Sequence, residues 1–253
     1  MRSPCMVMLG VGQVAGLACA RRFAETKWSV MIVDGDQKNL DRAEKELGDL
    51  CSYLHEDQHT KLGLKNGLAG TIDEYDGVDC VITIPPLPDT ETLQDMTLDA
   101  MKALYHKGAI SMLMAAKTFS QEMIREIEWE ADQVERPVND KSFVTILSRL
   151  AIASDYDRMT TSVSHGAVLS VMKALAIELA PYRIRSNSVL ALRPRAEGED
   201  NWLASRTPLA RSPRPDELAN MAYFLASPEA RFITGQTIEL DGGRSVLNGV
   251  VPD

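Results

Sequence analysis

The run Gly10-Val11-Gly12-Gln13-Val14-Ala15-Gly16 follows five apolar residues, Cys5–Leu9, and opens a stretch of helical periodicity. Glycines at a strand-to-helix turn permit a tight bend and let backbone N–H groups approach a pyrophosphate at the helix N-terminus. The spacing fits G-x-G-x-x-A. Asp34 closes the next apolar run, placed to accept hydrogen bonds from an adenosine ribose. The same glycines would equally serve close helix–sheet packing, and Asp34 an ordinary turn. Thr161 and His165 form a second pair, four residues apart and therefore on one helix face. His55 and His59 enclose Glu56, Asp57 and Gln58; H-E-D-Q-H has the letters of an H-E-x-x-H zinc pair, but it sits near the predicted end of a short strand and not on a helix, and it reads as a solvated loop. No metal site is expected.

These residues need a frame. Cys5–Leu9, Ser29–Val33, Cys51–Leu54, Asp79–Ile84, Phe143–Leu147, Ser188–Leu192 and Thr237–Leu240 read as strands. Between them, helices are expected over 13–26, 39–47, 97–131, 162–179 and 216–226, the fourth stopped by Pro181. Gly108 interrupts the pattern of the long one. Segment 60–76 is glycine-rich, and a helix is expected there only because parallel strands need a crossover. Asn139-Asp140 is expected to turn, and 193–215 to be a surface loop with a short helix near Trp202. Strands alternating with helices predict an α/β fold, a doubly wound parallel sheet in one domain spanning 1–253. Ligands bind such sheets at the strand carboxyl ends, where the strand order reverses.

Composition limits the partners. A formal net charge of −9 argues against nucleic acid, which needs a concentrated basic surface. Neither a signal peptide nor an apolar stretch of membrane-spanning length is found, and Cys5, Cys19, Cys51 and Cys80 lie far apart in apolar segments. A reduced, cytoplasmic compartment is expected.

From His165-Gly166-Ala167-Val168 through Ala174–Pro181 and on to Asn187, the chain resembles the central helix of classical short-chain dehydrogenases/reductases. The runs Ala20–Ala24 (ARRFA) and Pro228–Gly243 (PEARFITGQTIELDGG) are similar to the same family, so the resemblance covers nearly the whole chain. It implies a Rossmann-like fold with a nicotinamide cofactor. Against the family's T-G-x-x-x-G-x-G, Leu9 takes the Thr position, Gly10 and Gly16 are kept, and Val14 replaces the middle glycine, with Gly12 as partial compensation. The family's N-N-A-G falls on Thr83-Ile84-Pro85-Pro86 and its P-G on Ala191-Leu192, so two segments near the nicotinamide half are altered.

The resemblance also implies the catalytic positions. Ser148 is kept, Thr161 stands at the tyrosine, His165 at the lysine and, by a looser alignment, Tyr105 at the asparagine. A threonine hydroxyl is no practical acid or base near neutral pH, and an imidazole has neither the reach nor the fixed charge of lysine. Ser148 with His165 could instead polarise a carbonyl or activate a nucleophile, with Asp155 or Asp157 orienting the ring. Tyr156 or Tyr105 could enter as a displaced proton donor, and Arg149 is expected to leave the sheet away from Ser148.

Three readings follow. One is a non-redox enzyme, or a ligand-binding or partner subunit, acting on a small organic molecule. Another is an atypical NAD(H)-dependent oxidoreductase of a small carbonyl or alcohol. The last is a structural subunit beside an active homologue. Asp34 and Asp36, against Lys38 alone, favour NAD(H) over NADP(H), held weakly through its adenosine half; no cofactor at all is the alternative. Trp202 and Leu203 could cover apolar substrate, and Arg193, Arg195 and Arg206 could meet an anion. The apolar residues Met112, Leu113, Met114, Val168, Leu169, Val171 and Met172 predict a homodimer or homotetramer.

Overall fold

Apolar β-branched runs too short for buried helices become strands, and in the computed structural model all seven join one parallel sheet. The structure describes residues 2–12, 14–87, 92–133, 141–192 and 206–249. The strands are β1 (Cys5–Leu9), β2 (Ser29–Asp34), β3 (Ser52–His55), β4 (Cys80–Thr83), β5 (Lys141–Ser148), β6 (Ile184–Ala191) and β7 (Thr237–Leu240). Their order is β3-β2-β1-β4-β5-β6-β7. The helices are α1 (Val14–Glu25), α2 (Gln37–Leu47), α3 (Lys61–Tyr75), α4 (Leu98–Tyr105), α5 (Ser111–Gln133), α6 (Met159–Glu178) and α7 (Pro215–Ala226).

Side chains alternate across each strand, so each sheet face gathers its own core. Met6, Met8 and Ile32 pack with Phe23 of α1, Leu40 of α2 and Leu225 of α7. On the other face Val7, Leu9 and Val81 meet Leu64 of α3 and Phe119 and Met123 of α5, while Leu147 and Leu190 meet Val168 and Met172 of α6. The sheet is thereby wound on both sides, as the alternating pattern predicts.

The glycine-rich segment is helical after all, capped by Thr60, whose hydroxyl accepts from Gly63 N at 3.0 Å. The long stretch is not broken at Gly108; it widens into one π turn, His106–Ile110, between α4 and α5. Helix α6 crosses there so closely that a Cβ on Gly108 would lie 2.6 Å from Ser164 Oγ. β6 starts four residues before the expected Ser188. Its polar first half is buried because backbone satisfies it: Arg185 donates to the carbonyl of Leu225 at 2.6 Å, and Asn187 donates to that of Ile233 at 2.7 Å. The Asn139-Asp140 turn, the short helix near Trp202, and Leu203, Arg193 and Arg195 lie outside the described residues.

The apolar excess assigned to subunit contact is mostly core. Met112, Val168, Leu169 and Met172 are buried, whereas Leu113 is 45% exposed. Among the described residues no helix is long and apolar enough to cross a membrane.

At the amino ends of the strands lies a buried charge network. Lys141, fully buried, donates to the carbonyl of Val78 at 2.8 Å and pairs with Glu126 and, at 3.4 Å, with Asp79. Arg2 joins both acids, at 2.5 Å from Asp79 and 2.8 Å from Glu126. Removing Lys141 leaves two largely buried acids to share Arg2 alone, so their charge is only part-compensated. Lys141→Met is therefore expected to lower unfolding free energy by about 3–5 kcal/mol in urea denaturation. A loss below about 1 kcal/mol would show that water reaches the acids.

Candidate active site

The reversal of strand order between β1 and β4 opens a crevice at the carboxyl ends of the strands. Its first half is built on the turn from β1 into α1. Gly10 holds φ +86°, a left-handed conformation that favours glycine, and its N–H donates to Val33 O at 2.9 Å. Gly12 is exposed at the lip, and Gly16 is buried in the first turn of α1 against the backbone of Val11. Asp34, 3% exposed at the end of β2, locks this turn. Its carboxylate accepts from Val11 N at 2.8 Å, from Asp36 N at 2.9 Å, and from Asn39 Nδ2 at 3.2 and 3.3 Å. A carboxylate has roughly four acceptor directions, and these contacts, two at each oxygen, occupy them, the long ones to Asn39 being the easiest to displace. The cleft over Gly10, Gly12, Asp34, Gln58, His59 and Lys107 measures about 530 Å³. Val14 is 59% exposed and is not among the residues lining this cleft.

Across the switch point the described residues leave little space. A chamber of about 20 Å³, room for about one water, lies among Ile84, Pro85, Leu87, Ser148, His165 and Leu192. The segment after β4 narrows this part of the crevice, and it is tied down. His165, 1% exposed on α6, accepts at Nδ1 from Ser148 N at 3.1 Å and donates from Nε2 to Pro86 O at 3.2 Å. Because Pro86 O can only accept and Ser148 N–H only donate, the ring is the neutral Nε2–H tautomer.

Ser148 and His165 are therefore together, but through the serine amide. The Ser148 hydroxyl accepts from Leu150 N at 3.2 Å and caps the short 3₁₀ turn Arg149–Ala151. No serine–histidine hydroxyl contact of the kind that activates a nucleophile is formed. Asp155 accepts from Tyr156 N at 3.0 Å, and neither it nor Asp157 orients the imidazole, whose nitrogens are both taken by backbone. Thr161 is 1% exposed, and its hydroxyl has no hydrogen-bond partner among the described residues. Tyr105 is 43% exposed on α4, and Tyr156 is 94% exposed. Arg149 turns toward β7, its Nε 3.6 Å from Glu239 and 3.7 Å from Asp241.

Several neighbours carry no sequence signal. Arg42 of α2 donates to Gly12 O at 2.9 Å and clamps the glycine turn from outside. Gln58 accepts from Gly35 N at 2.9 Å and lies over Gly10. The solvated-loop reading of 55–59 needs correction: His59 is half-buried, and its Nδ1 meets Ser111 Oγ at 2.8 Å. No group of three or more potential metal ligands gathers among the described residues.

Burial lowers the basicity of His165, the Pro86 carbonyl opposing it in part. His59 is lowered by burial as well, with Asp57 opposing. A histidine whose folded pKa lies below its ordinary value near 6.5 takes up its proton first in the unfolded chain. Its stabilising contribution is thus complete above about pH 6.5 and is lost as pH falls from there through the folded pKa. His165→Gln, which does not titrate, is expected to flatten the fall of Tm between pH 7 and pH 5, with His59 acting alike in both proteins. Equal slopes in circular-dichroism melts would reject the assignment.

A family model described as Enoyl-(Acyl carrier protein) reductase matches residues 10–245. Galactitol 2-dehydrogenase (L-tagatose-forming) of Cereibacter sphaeroides is 30% identical over 256 residues, covering 96% of this chain and 95% of that one. L-rhamnose 1-dehydrogenase (NAD(P)(+)) of Sphingomonas is 25% identical, covering 94% and 92%. The fold is similar to that of 3-ketoacyl-(acyl-carrier-protein) reductase from Brucella melitensis complexed with NADH, with TM-score 0.86, 23% identity, and coverage of 96% and 99%. With one parallel sheet wound in this order and a match running from the glycine turn past β7, the chain belongs to the short-chain dehydrogenase/reductase family.

Proposed function

We propose that the chain is an atypical NAD(H)-linked oxidoreductase of a small carbonyl or alcohol, working without the tyrosine–lysine pair of its family. The family match across 10–245, together with the open cleft at Gly10 and Asp34, carries this reading. The relatives' names add support, since they act on small polyols and sugars and one uses NAD(P)(+). Asp34 and Asp36 stand where a 2′-phosphate would be repelled, which favours NAD(H).

The residues fit the adenosine diphosphate half of such a cofactor, and in this arrangement they do not fit the nicotinamide half. The cofactor would supply a hydride acceptor or donor. Thr161, at the tyrosine position, has an alcohol of the wrong acidity, and His165, at the lysine position, is neutral and committed to backbone. A positioned acid–base group typically contributes about 10²–10⁴-fold, so its loss makes turnover slow.

A second reading is favoured by the His165 contacts themselves: a ligand-binding subunit or non-redox enzyme on a retained fold. One experiment separates the two. A panel of sugars, polyols and ketones is assayed with NAD(H) and NADP(H) by reduced-nicotinamide absorbance, beside Thr161→Tyr, His165→Lys. The oxidoreductase reading expects measurable NAD(H)-linked turnover below about 1 per second from the unmodified chain, on the scale of typical enzyme rates. Turnover only in the double mutant would move the assignment to the second reading, and faster turnover by the unmodified chain would reject the loss of acid–base catalysis.

A homodimer or homotetramer belongs to the same proposal. Leu113, Trp129, Val163 and Ile177 leave an apolar remainder on α5 and α6, from 45% to 75% exposed. Sedimentation at micromolar concentration is expected to exceed the 27.9 kDa monomer. A single monomer boundary would refute it.

A further inference from the structure

The two halves of the crevice differ in volume by more than an order of magnitude, about 530 Å³ against about 20 Å³. A dinucleotide lies across the switch point and needs both halves. The first is large enough for a nucleotide, within the roughly 300–1,000 Å³ usual for ligand sites. Its polar groups match one half of the molecule. The glycine turn at the N-terminus of α1 and Lys107 suit a pyrophosphate, and Asp34 at the cleft wall can accept from a ribose hydroxyl in place of its long bonds to Asn39.

The second half is closed by a specific contact. His165 joins the end of β5, through Ser148 N, to the segment after β4, through Pro86 O. This bridge spans the place where the second nucleotide would enter, with Pro85 and Leu87 held over it. Both bonds are part-buried and the ring itself is 1% exposed, which limits the access of water to them. Leu87 and Pro86 also form the wall shared with the open half. A ligand that ends at its second phosphate, or at a terminal ribose, fills the open half without disturbing that wall.

We infer that His165 is a latch, a positioning residue that keeps the second half of the crevice shut, and that the cleft takes an adenosine diphosphate group, as ADP or ADP-ribose, as tightly as a complete dinucleotide. The inference rests on the nucleotide-binding reading above and restricts it: the nicotinamide ring adds affinity only when the closed chamber is opened, by release of the latch or by shortening of Leu87. Replacing His165 removes both bonds at once and frees the segment after β4. Shortening Leu87 enlarges the same chamber and leaves the bridge intact.

Titration calorimetry on the full chain with ADP, ADP-ribose, NAD⁺ and NADH tests this. In the unmodified protein ADP-ribose and NADH are expected to bind within threefold of each other. In His165→Ala, NADH is expected to tighten at least tenfold relative to ADP-ribose while ADP stays unchanged. Leu87→Ala is expected to move the ratio the same way, and it carries the test should His165→Ala fail to fold. NADH binding more than tenfold tighter than ADP-ribose in the unmodified chain would overturn the latch while leaving the NAD(H)-linked reading standing. A ratio near one that neither variant shifts would likewise overturn the latch alone. Absence of binding by all four ligands would overturn both.

Discussion

Parallel strands cannot be joined without a crossover, and this constraint shapes everything else in the molecule. Each return path is long enough for a helix, and the helices cover both faces of the sheet. Strands buried on both sides then carry apolar residues throughout, as β1 does with Cys5–Leu9. Winding outward in both directions from β1 and β4 leaves a crevice between them at the carboxyl ends. The candidate site is where the architecture itself leaves a gap.

Polar contacts give the two sides of this gap different shapes. On the β1 side, Asp34 and Arg42 hold the glycine turn from below and from outside, one accepting its N–H and the other donating to its carbonyls. These contacts hold the turn without filling the cleft. On the β4 side the backbone is satisfied by a side chain that crosses the gap, and the gap closes. His165 is the group that makes this connection. A short ring with one donor and one acceptor ties together two strand ends that a long cation would leave separate.

Burial elsewhere is tolerated for the same reason. Arg185 and Asn187 occupy a fully buried strand because the carbonyls around α7 and Ile233 accept from them. Lys141 is buried among two acids and a carbonyl. Thr161 is the contrast: its hydroxyl is enclosed without a partner among the described residues. A buried hydroxyl left unbonded costs about 1–3 kcal/mol.

The sequence by itself determined the sheet, the crossovers and the family, because apolar periodicity, glycine turns and short motifs are local. Cys5–Leu9, Asp34 and Thr237–Leu240 stand where the pattern puts them. Polar strand residues were misread, as at Arg185–Asn187, since the carbonyls that satisfy them come from about 40 residues away. At the candidate site, residue types singled out Thr161 and His165, and the proposal of altered chemistry rests on those types. Only the tertiary structure decided what the replacements do. His165 bonds Ser148 through its amide and reaches Pro86, 79 residues earlier, and Arg42 reaches Gly12 across 30 residues. Those partners meet because the sheet brings distant strand ends together, and a hydrogen bond depends on where atoms lie in space, whereas spacing along one chain records only what a single helix or strand can align.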